Sequence, residues 1–220
     1  MTKLLFLAAN PLDTDPLRLD EEMRAIDISL RQADFRDQFD LRSQWAVRIG
    51  DLQELLLRHQ PDIVHFSGHG SAASEIVLQD AQGHGVVVPT KALSDLFGHL
   101  RGDIRCVVLN ACYSSDQAEA IATQIDCVVG MTDAITDKAS IEFATAFYRA
   151  LGYGRSVKTA FDLGCNQIDL AALNEANKPI LLGHTDPGTV FLLKDQDERN
   201  DTMGQEERVP KPWWDQLATG

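Results

Sequence analysis

The sequence lacks long hydrophobic runs, and this absence excludes several kinds of protein. No stretch approaches the roughly 18 apolar residues that a membrane-spanning helix needs, although 44% of the 220 residues are hydrophobic. The apolar run at residues 3–9 is too short for the core of a signal peptide, and the turn signal Asn10-Pro11 follows it. We therefore expect a cytoplasmic protein that makes no contact with a membrane.

Positive charge is also scarce. Lysine and arginine together number 20, against 33 aspartates and glutamates, which gives a net charge of −13 at pH 7. Such a surface repels the phosphate backbone, so the composition argues against nucleic-acid binding. It favours basic peptides or basic proteins as partners.

The short motifs of several enzyme classes are missing as well. The sequence has no Gly-x-x-x-x-Gly-Lys phosphate loop and no Gly-x-Gly-x-x-Gly after the first predicted strand, which argues against a nucleotide-dependent enzyme. It also lacks the Gly-x-Ser-x-Gly elbow of the α/β-hydrolases. His65 and His69 lack the accompanying glutamate of a zinc protease. We therefore expect neither a cofactor nor a metal site.

None of the four cysteines belongs to a Cys-x-x-Cys pair. In a reducing cytosol they are free thiols rather than a disulfide framework. Cys106 and Cys127 fall inside apolar runs and are typical of inert core residues. Cys112 differs, because it lies where an apolar run gives way to polar residues.

What the sequence does contain is an alternation of strand and helix patterns. Apolar runs typical of buried strands alternate with segments in which apolar residues recur at helical spacing. This alternation predicts an α/β fold, a three-layer α/β/α sandwich with a mostly parallel sheet. Two short runs around residues 80–85 predict a β-hairpin, and residues 189–193 are a candidate for a final strand. The other predicted strands lie at residues 3–9, 39–45, 63–66, 104–109 and 127–131, and helices begin near residues 15, 51, 90, 114, 137 and 155.

The composition changes near residue 194. We assign residues 1–193 to one globular domain, since a chain of this length and apolar content can bury a core. Residues 194–220 are charged and polar, which is typical of a linker or a disordered tail. Trp213 and Trp214 are unusual in such a segment. Either they fold back onto the domain, or they form a docking peptide for a partner.

Two of the apolar runs end in residues that can carry out acid–base or nucleophilic chemistry. The run at 63–66 leads into His69 and Gly70, and the run at 104–109 leads into Cys112. Because the carboxyl ends of parallel strands lie along one edge of a sheet, an imidazole and a thiol can meet there. Taken singly, each residue is more often structural than catalytic. Their joint position at one predicted edge favours a cysteine nucleophile.

Cys112 precedes a predicted helix, and the positive end of the helix dipole favours a thiolate at that position. We expect Cys112 to be the nucleophile. We expect His69 to help generate the thiolate and to protonate the leaving amine. The backbone N–H groups of Gly70 and Cys112 are candidate donors to an oxyanion.

A family resemblance lies in two segments, Ile63-Val64-His65-Phe66-Ser67-Gly68-His69-Gly70 and Val108-Leu109-Asn110-Ala111-Cys112. They resemble the CHAT-domain peptidases, which are bacterial relatives of caspases and separases. Residues 5–11 and 143–151 look like that family too, so the resemblance covers residues 1–193. It implies a caspase-haemoglobinase fold, a dyad of His69 and Cys112, and hydrolysis of peptide bonds. It also implies a role in bacterial defence or stress circuits, in which an attached sensor releases a dormant protease.

Four polar residues are candidates for a substrate pocket: Asp13 and Asp15 after the first strand, and Thr132 and Asp133 after the strand that ends at residue 131. A carboxylate in the primary pocket selects arginine or lysine by charge complementarity. The separase and metacaspase branches of the family's clan share that preference. The alternative is that these residues cap helices or face solvent.

Two classes of function stay open. The first is a cysteine endopeptidase that acts on a protein or peptide substrate under the control of a sensor or regulatory protein. The second is a catalytically idle, peptidase-like scaffold that acts by protein association. A nucleotide-consuming domain of the TIR type is weaker, because no glutamate can be nominated for its chemistry.

Overall fold

The computed structural model describes residues 1–71 and 73–193. A six-stranded sheet forms the centre of this part of the chain, and a separate two-stranded hairpin lies beside it. The strands are β1 Thr2–Ala9, β2 Phe39–Gln44, β3 Ile63–Gly68, β4 Val77–Gln79, β5 Gly85–Val87, β6 Cys106–Asn110, β7 Cys127–Met131 and β8 Pro179–Leu182. The α-helices are α1 Leu19–Arg31, α2 Leu52–His59, α3 Thr90–His99, α4 Ser115–Ala122, α5 Asp137–Gly152 and α6 Val157–Leu170, and Arg36–Gln38 and Ile49–Asp51 form short 3-10 turns.

The strand order across the central sheet is β2-β1-β3-β6-β7-β8. The first five strands in this order are parallel, and β8 pairs antiparallel with β7. Every residue of β3, β6 and β7 is buried. Strands covered on both faces carry continuous apolar runs, which is why the sequence identifies them.

Helices cover both faces of the sheet and complete three layers. On one face, α1, α5 and α6 pack against a core that includes Phe6, Val108 and Val129. On the other face, α2, α3, α4 and the hairpin pack against a core that includes Leu7 and Val107. Neighbouring residues of one strand point to opposite faces, so each central strand contributes to both cores. The predicted three-layer α/β/α sandwich with a mostly parallel sheet is confirmed.

The predicted hairpin is confirmed as β4 and β5, whereas the predicted final strand at residues 189–193 is wrong. Val190, Leu192 and Leu193 of that segment are buried, but its carbonyl groups bond to groups other than the backbone of a neighbouring strand. The Val190 carbonyl accepts from Val157 N–H at 2.9 Å, and the Leu192 carbonyl accepts from the Thr2 hydroxyl at 2.5 Å. The last strand is instead β8, which the sequence analysis missed. The proposed tail at 194–220, with Trp213 and Trp214, lies outside the described residues.

Candidate active site

The carboxyl ends of β3 and β6 lie side by side at one edge of the sheet. Their pairing ends at Ser67 and Asn110, and the two chains remain together beyond that point. A methyl group built on Gly70 would lie 1.7 Å from the carbonyl oxygen of Cys112. The backbones of Gly70 and Cys112 are therefore in direct contact, and only glycine permits this approach.

Cys112 sits in the turn between β6 and α4. The next residue, Tyr113, has a left-handed backbone with φ of 56°, which makes the turn sharp. Ser114 fixes the turn to two strands, because its hydroxyl donates to the Leu109 carbonyl at 3.0 Å and accepts from Met131 N–H at 3.0 Å. The Cys112 backbone is thus held by buried contacts to β6 and β7, close to the amino terminus of α4.

His69 begins the loop that leads from β3 into the hairpin. Its carbonyl accepts from Val77 N–H at 2.9 Å, and Gly70 forms an isolated bridge with Ile76. The ring is half-buried, with Nε2 lying 2.9 Å from the backbone carbonyl oxygen of Asp15. Since a carbonyl oxygen can only accept, Nε2 carries a proton and Nδ1 is the nitrogen that can take one.

Cys112 lines a cavity of about 30 Å³ between the ends of β3 and β6 and the helices α1 and α5. Its Sγ lies 3.7 Å from the carbonyl oxygen of Ile135. The half-buried Leu17 and Ile135 contribute apolar surface to the cavity. Three buried polar side chains also line the cavity: Glu22, Ser67 and Asn110.

Those three side chains belong to a buried hydrogen-bond network centred on Glu22, which is only 2% exposed. Its Oε1 lies 2.8 Å from Nε2 of His65 and accepts from the Asn110 amide at 2.5 Å. Its Oε2 accepts from the Ser67 hydroxyl at 2.5 Å. Tyr148 extends the network, because its hydroxyl lies 2.9 Å from Nδ1 of His65.

The network engages both ring nitrogens of His65. Burial raises the pKa of Tyr148 well above its ordinary value of 10.0, so the phenol keeps its proton. The Tyr148 hydroxyl meets Nδ1 of His65, and Nε2 on the opposite side of the ring meets the carboxyl group of Glu22. The Glu22 side chain is therefore held by three partners, His65, Ser67 and Asn110.

Sequence reasoning missed Glu22 and His65, although a signal was present. Glu22 falls three residues after Leu19 and four before Ile26, so it shares the buried face of α1. His65 and Ser67 are two residues apart in β3, so their side chains point to the same face of the sheet. Two patterns together would have identified them. One is a charged residue on the apolar face of a helix, and the other is a pair of polar residues at alternate positions of a buried strand.

The predicted pocket residues lie outside the lining of this cavity. Asp13 accepts from Gly85 N–H at 2.8 Å, and Asp15 meets His69 through its backbone carbonyl. Thr132 donates to the Lys178 carbonyl at 3.1 Å. As candidates for substrate contact, Asp13, Asp15 and Asp133 stay predictions.

The carboxylate of Asp133 accepts hydrogen bonds from two donors, and one of these belongs to Tyr113, the residue after Cys112. Its carboxylate accepts from Ala134 N–H at 2.7 Å. This bond, followed by one from the phenol of Tyr113, lowers the pKa of Asp133 below its ordinary value. Asp133 is exposed and joins the turn after β7 to the turn that carries Cys112.

Within residues 1–71 and 73–193, no three His, Cys, Asp or Glu side chains are grouped as a metal ion requires. No α-helix in these ranges combines the length and the apolar surface needed to cross a membrane.

The protein-family model for the CHAT domain matches residues 13–186. The chain belongs to the CHAT domain family. It is 28% identical over 156 residues to a Roc-COR-CHAT protease from an unknown prokaryotic organism, a match that covers 68% of this chain. It is 22% identical over 170 residues to a probable protease of Gillisia limnaea, a match that covers 76% of this chain. The chain spans only 15% and 30% of the length of these two relatives.

Two solved structures show the same fold. The Arg-specific cysteine proteinase gingipain R aligns with a TM-score of 0.61 at 11% identity, over 86% of this chain and 47% of its own. Caspase-1 from Spodoptera frugiperda aligns with a TM-score of 0.52 at 11% identity, over 84% and 86% of the two chains. The expected caspase-like fold of this CHAT domain is therefore confirmed.

Proposed function

We propose that this CHAT domain is a cysteine endopeptidase in which Cys112 is the nucleophile and His69 the acid–base residue. The observation that carries the proposal is the contact between the backbones of Gly70 and Cys112 at the edge of the sheet. This contact puts the loop that begins with His69 beside the turn that carries Cys112. The family assignment and the protease names of the curated relatives support the same reaction class.

The reaction begins when Nδ1 of His69 takes the proton of the Cys112 thiol. The thiolate attacks the carbonyl carbon of the scissile peptide bond and forms a tetrahedral oxyanion. The backbone N–H groups of Gly70 and Cys112, both beyond the last paired residues of β3 and β6, donate to this oxyanion.

As the C–N bond breaks, Nδ1 of His69 returns its proton to the leaving amine, and a thioester to Cys112 remains. A water molecule then attacks the thioester carbonyl while Nδ1 takes one of its protons. The C–S bond breaks, which releases the carboxylic acid and returns Cys112 and His69 to their starting states. The hydrogen bond from Nε2–H of His69 to the Asp15 carbonyl keeps the ring oriented through both steps.

Cleavage after basic residues, cytoplasmic location and control by a sensor belong to the same proposal. The net charge of −13 favours basic substrates, and the structural neighbour gingipain R is named as Arg-specific. The curated relatives are several times longer than this chain. That length leaves room for a regulatory segment, as expected for a protease released in bacterial defence or stress signalling.

A peptide library incubated with the protein, with the cleavage sites read by mass spectrometry, tests this function. We expect Cys112→Ala and His69→Ala to lower kcat/KM at least about 100-fold. Cys112→Ala should change the free energy of unfolding by less than about 2 kcal/mol, because the side chain borders a cavity.

Two variants serve as matched controls. Cys165→Ala removes another half-buried thiol, on α6, and His84→Ala removes an imidazole in the β4–β5 turn. Both should keep the activity of the unaltered chain. Cleavage that survives Cys112→Ala rules out the mechanism, and a folded protein that cleaves no library peptide supports the idle scaffold.

A further inference from the structure

The cavity beside Cys112 ends in a buried negative charge. Glu22 lines it together with Cys112 and is 2% exposed. Within the described ranges, the side chains that bond to its carboxylate are His65, Ser67 and Asn110. Ser67 and Asn110 are neutral, and His65 is the one partner that can carry a positive charge, as the imidazolium of an ion pair with Glu22. The partners of Glu22 in these ranges thus include no lysine or arginine.

A buried carboxyl group without a permanently charged partner is costly to ionise. The cationic side chain that lines the cavity, Arg18, does not supply the balance. Its guanidinium is 66% exposed and pairs with Glu21 at 3.2 Å. A second carboxylate, that of Asp137, also lines the cavity and accepts from Arg18 N–H at 3.2 Å. The cavity is therefore negative, and a cation that enters it removes an electrostatic penalty.

The cavity also has unused capacity to accept hydrogen bonds. Asn110 is 5% exposed, and its Oδ1 is buried without a partner among the described residues. Glu22 Oε2 accepts one bond, from Ser67, and a carboxylate oxygen can accept two. Guanidinium and ammonium groups carry only donors. A lysine or arginine side chain thus matches the charge and the free acceptors of this cavity, whereas a carboxylate or an alkyl chain matches neither.

We propose that Glu22 is the specificity-determining residue of the substrate pocket and that it binds the side chain of a lysine or arginine at the cleaved bond. This inference rests on the proposed function and names the residue that gives it a basic preference. The cavity of about 30 Å³ must widen to admit the side chain. The half-buried Leu17 and Ile135, which precede α1 and α5, are the residues that have to move.

Peptides that differ only in the residue before the cleaved bond test the assignment. Arginine is compared with citrulline, its neutral isostere, and lysine with norleucine. We expect kcat/KM for the arginine peptide to exceed that for the citrulline peptide by about 100-fold. Glu22→Gln, which keeps the size of the side chain, should reduce this ratio to within a few-fold of one. Most of the reduction should come from slower cleavage of the arginine peptide.

Glu119→Gln is the matched control, because it makes the same chemical change on the exposed surface of α4. It should leave the ratio unchanged. Circular dichroism and a denaturant titration establish that each variant is folded. A folded Glu22→Gln protein that keeps the arginine preference overturns the proposal and makes the network purely structural. An unaltered protein that prefers citrulline, or treats the two peptides alike, also overturns it.

A binding measurement separates this proposal from the catalytic one and needs no Glu22 variant. Calorimetry on the Cys112→Ala protein compares n-propylguanidinium, the end of an arginine side chain, with the neutral n-propylurea. We expect binding of the guanidinium only. This result supports the pocket even if no peptide is cleaved, in which case the proposed function alone fails. Equal binding of both probes, or binding of neither, contradicts the pocket. If cleavage depends on Cys112 but follows neutral residues, only the assignment of Glu22 is wrong.

Discussion

At the residue scale, Glu175 fixes the position of one wall of the candidate site. Its side chain accepts from the Thr136 amide at 3.0 Å and from the Thr136 hydroxyl at 2.7 Å. It also accepts from the ammonium group of Lys178 at 2.9 Å. Thr136 in turn caps α5 by accepting from Ala139 N–H at 3.3 Å. Because Ile135 of the cavity precedes Thr136, these bonds hold a segment that lines the cavity.

The same contacts make stability depend on acid pH. Burial alone would raise the pKa of Glu175, but the bonds from Thr136 and Lys178 outweigh it and lower the pKa below the ordinary value of 4.5. A carboxyl whose pKa is lowered by folding contributes stability above its unfolded pKa and loses it as pH falls through the folded pKa. We expect the free energy of unfolding to decrease from about pH 5 downward, and Glu175→Gln to remove about 1 kcal/mol of that decrease.

Denaturant titrations at several pH values between about 6 and 3 measure this effect. Glu119→Gln, on the exposed face of α4, should keep the pH dependence of the unaltered chain. If the Glu175→Gln curve has the same pH dependence as the unaltered protein, the hydrogen bonds at Thr136 and Lys178 do not stabilise the loop.

The residues of the candidate site differ in how far the sequence could predict them. His69 and Cys112 could be nominated, because each follows an apolar run and their chemistry is complementary. The contact between Glu22 and His65 could not be predicted from either residue alone. The two residues bind each other, and His65 also binds Tyr148, which is far away in the sequence. A carboxylate on an amphipathic helix usually faces solvent. The position of Glu22 on the apolar face of α1 is the sequence signal that this one does not, and the folded contacts show which partners hold it.

At the element scale, the site depends on the close approach of the loops that follow β3 and β6. Gly70→Ala would place a methyl group 1.7 Å from the Cys112 carbonyl oxygen, a separation that forces the two backbones apart. We expect the variant to lose about 2–4 kcal/mol of unfolding free energy. Its kcat/KM should fall at least about 10-fold, because a small displacement of reacting groups costs rate steeply.

Gly102→Ala is the control, since a methyl group built there meets nothing within 4 Å. Denaturant titration and peptide cleavage are measured for both variants. A Gly70→Ala protein with the stability and activity of the unaltered chain would mean that the contact between the two loops is unimportant for the site.

Elements with strong local patterns were predictable, and elements defined by their partners were not. The runs that form β3, β6 and β7 are apolar throughout, which identified them. β8 has four residues, begins with a proline and is only partly buried. The segment at 189–193 looks more like a strand in sequence, yet its carbonyl groups bond to Val157 N–H and the Thr2 hydroxyl. Tertiary contacts decide which of the two short apolar runs pairs with β7. Such contacts cannot be read from the local sequence of either run.

At the scale of the whole molecule, the fold gathers the chemistry at one edge of the sheet. The order β2-β1-β3-β6-β7-β8 places β3 and β6 at the centre, so the turns after them are supported from both sides. The side chains of Val190, Leu192 and Leu193 belong to the core on the face of α1, α5 and α6. The folded unit therefore extends beyond residue 186, where the family match ends.

The overall charge and the cavity charge have the same sign. The net charge of −13 gives the molecule a field that attracts cations over long distances. Glu22 and Asp137 concentrate negative charge beside Cys112. Steering by the surface and the proposed selection by Glu22 thus predict the same preference for basic substrates.

The four thiols of the molecule occupy different environments, and this distribution gives the most direct test of the central claim. Burial raises the pKa of Cys106 well above its ordinary value, that of Cys127 to about 12 and that of Cys165 to about 11. These three therefore carry little thiolate at neutral pH. Cys112, half-buried beside the cavity, is the thiol that the account assigns to a working pair with His69.

The decisive measurement is the rate at which iodoacetamide alkylates each cysteine near pH 7, read residue by residue by mass spectrometry. We expect Cys112 to react at least about 10-fold faster than Cys106, Cys127 and Cys165. In His69→Ala, the Cys112 rate should fall to the level of the other thiols. Equal, slow labelling of all four cysteines in the unaltered chain, or a Cys112 rate that His69→Ala leaves unchanged, would contradict the account.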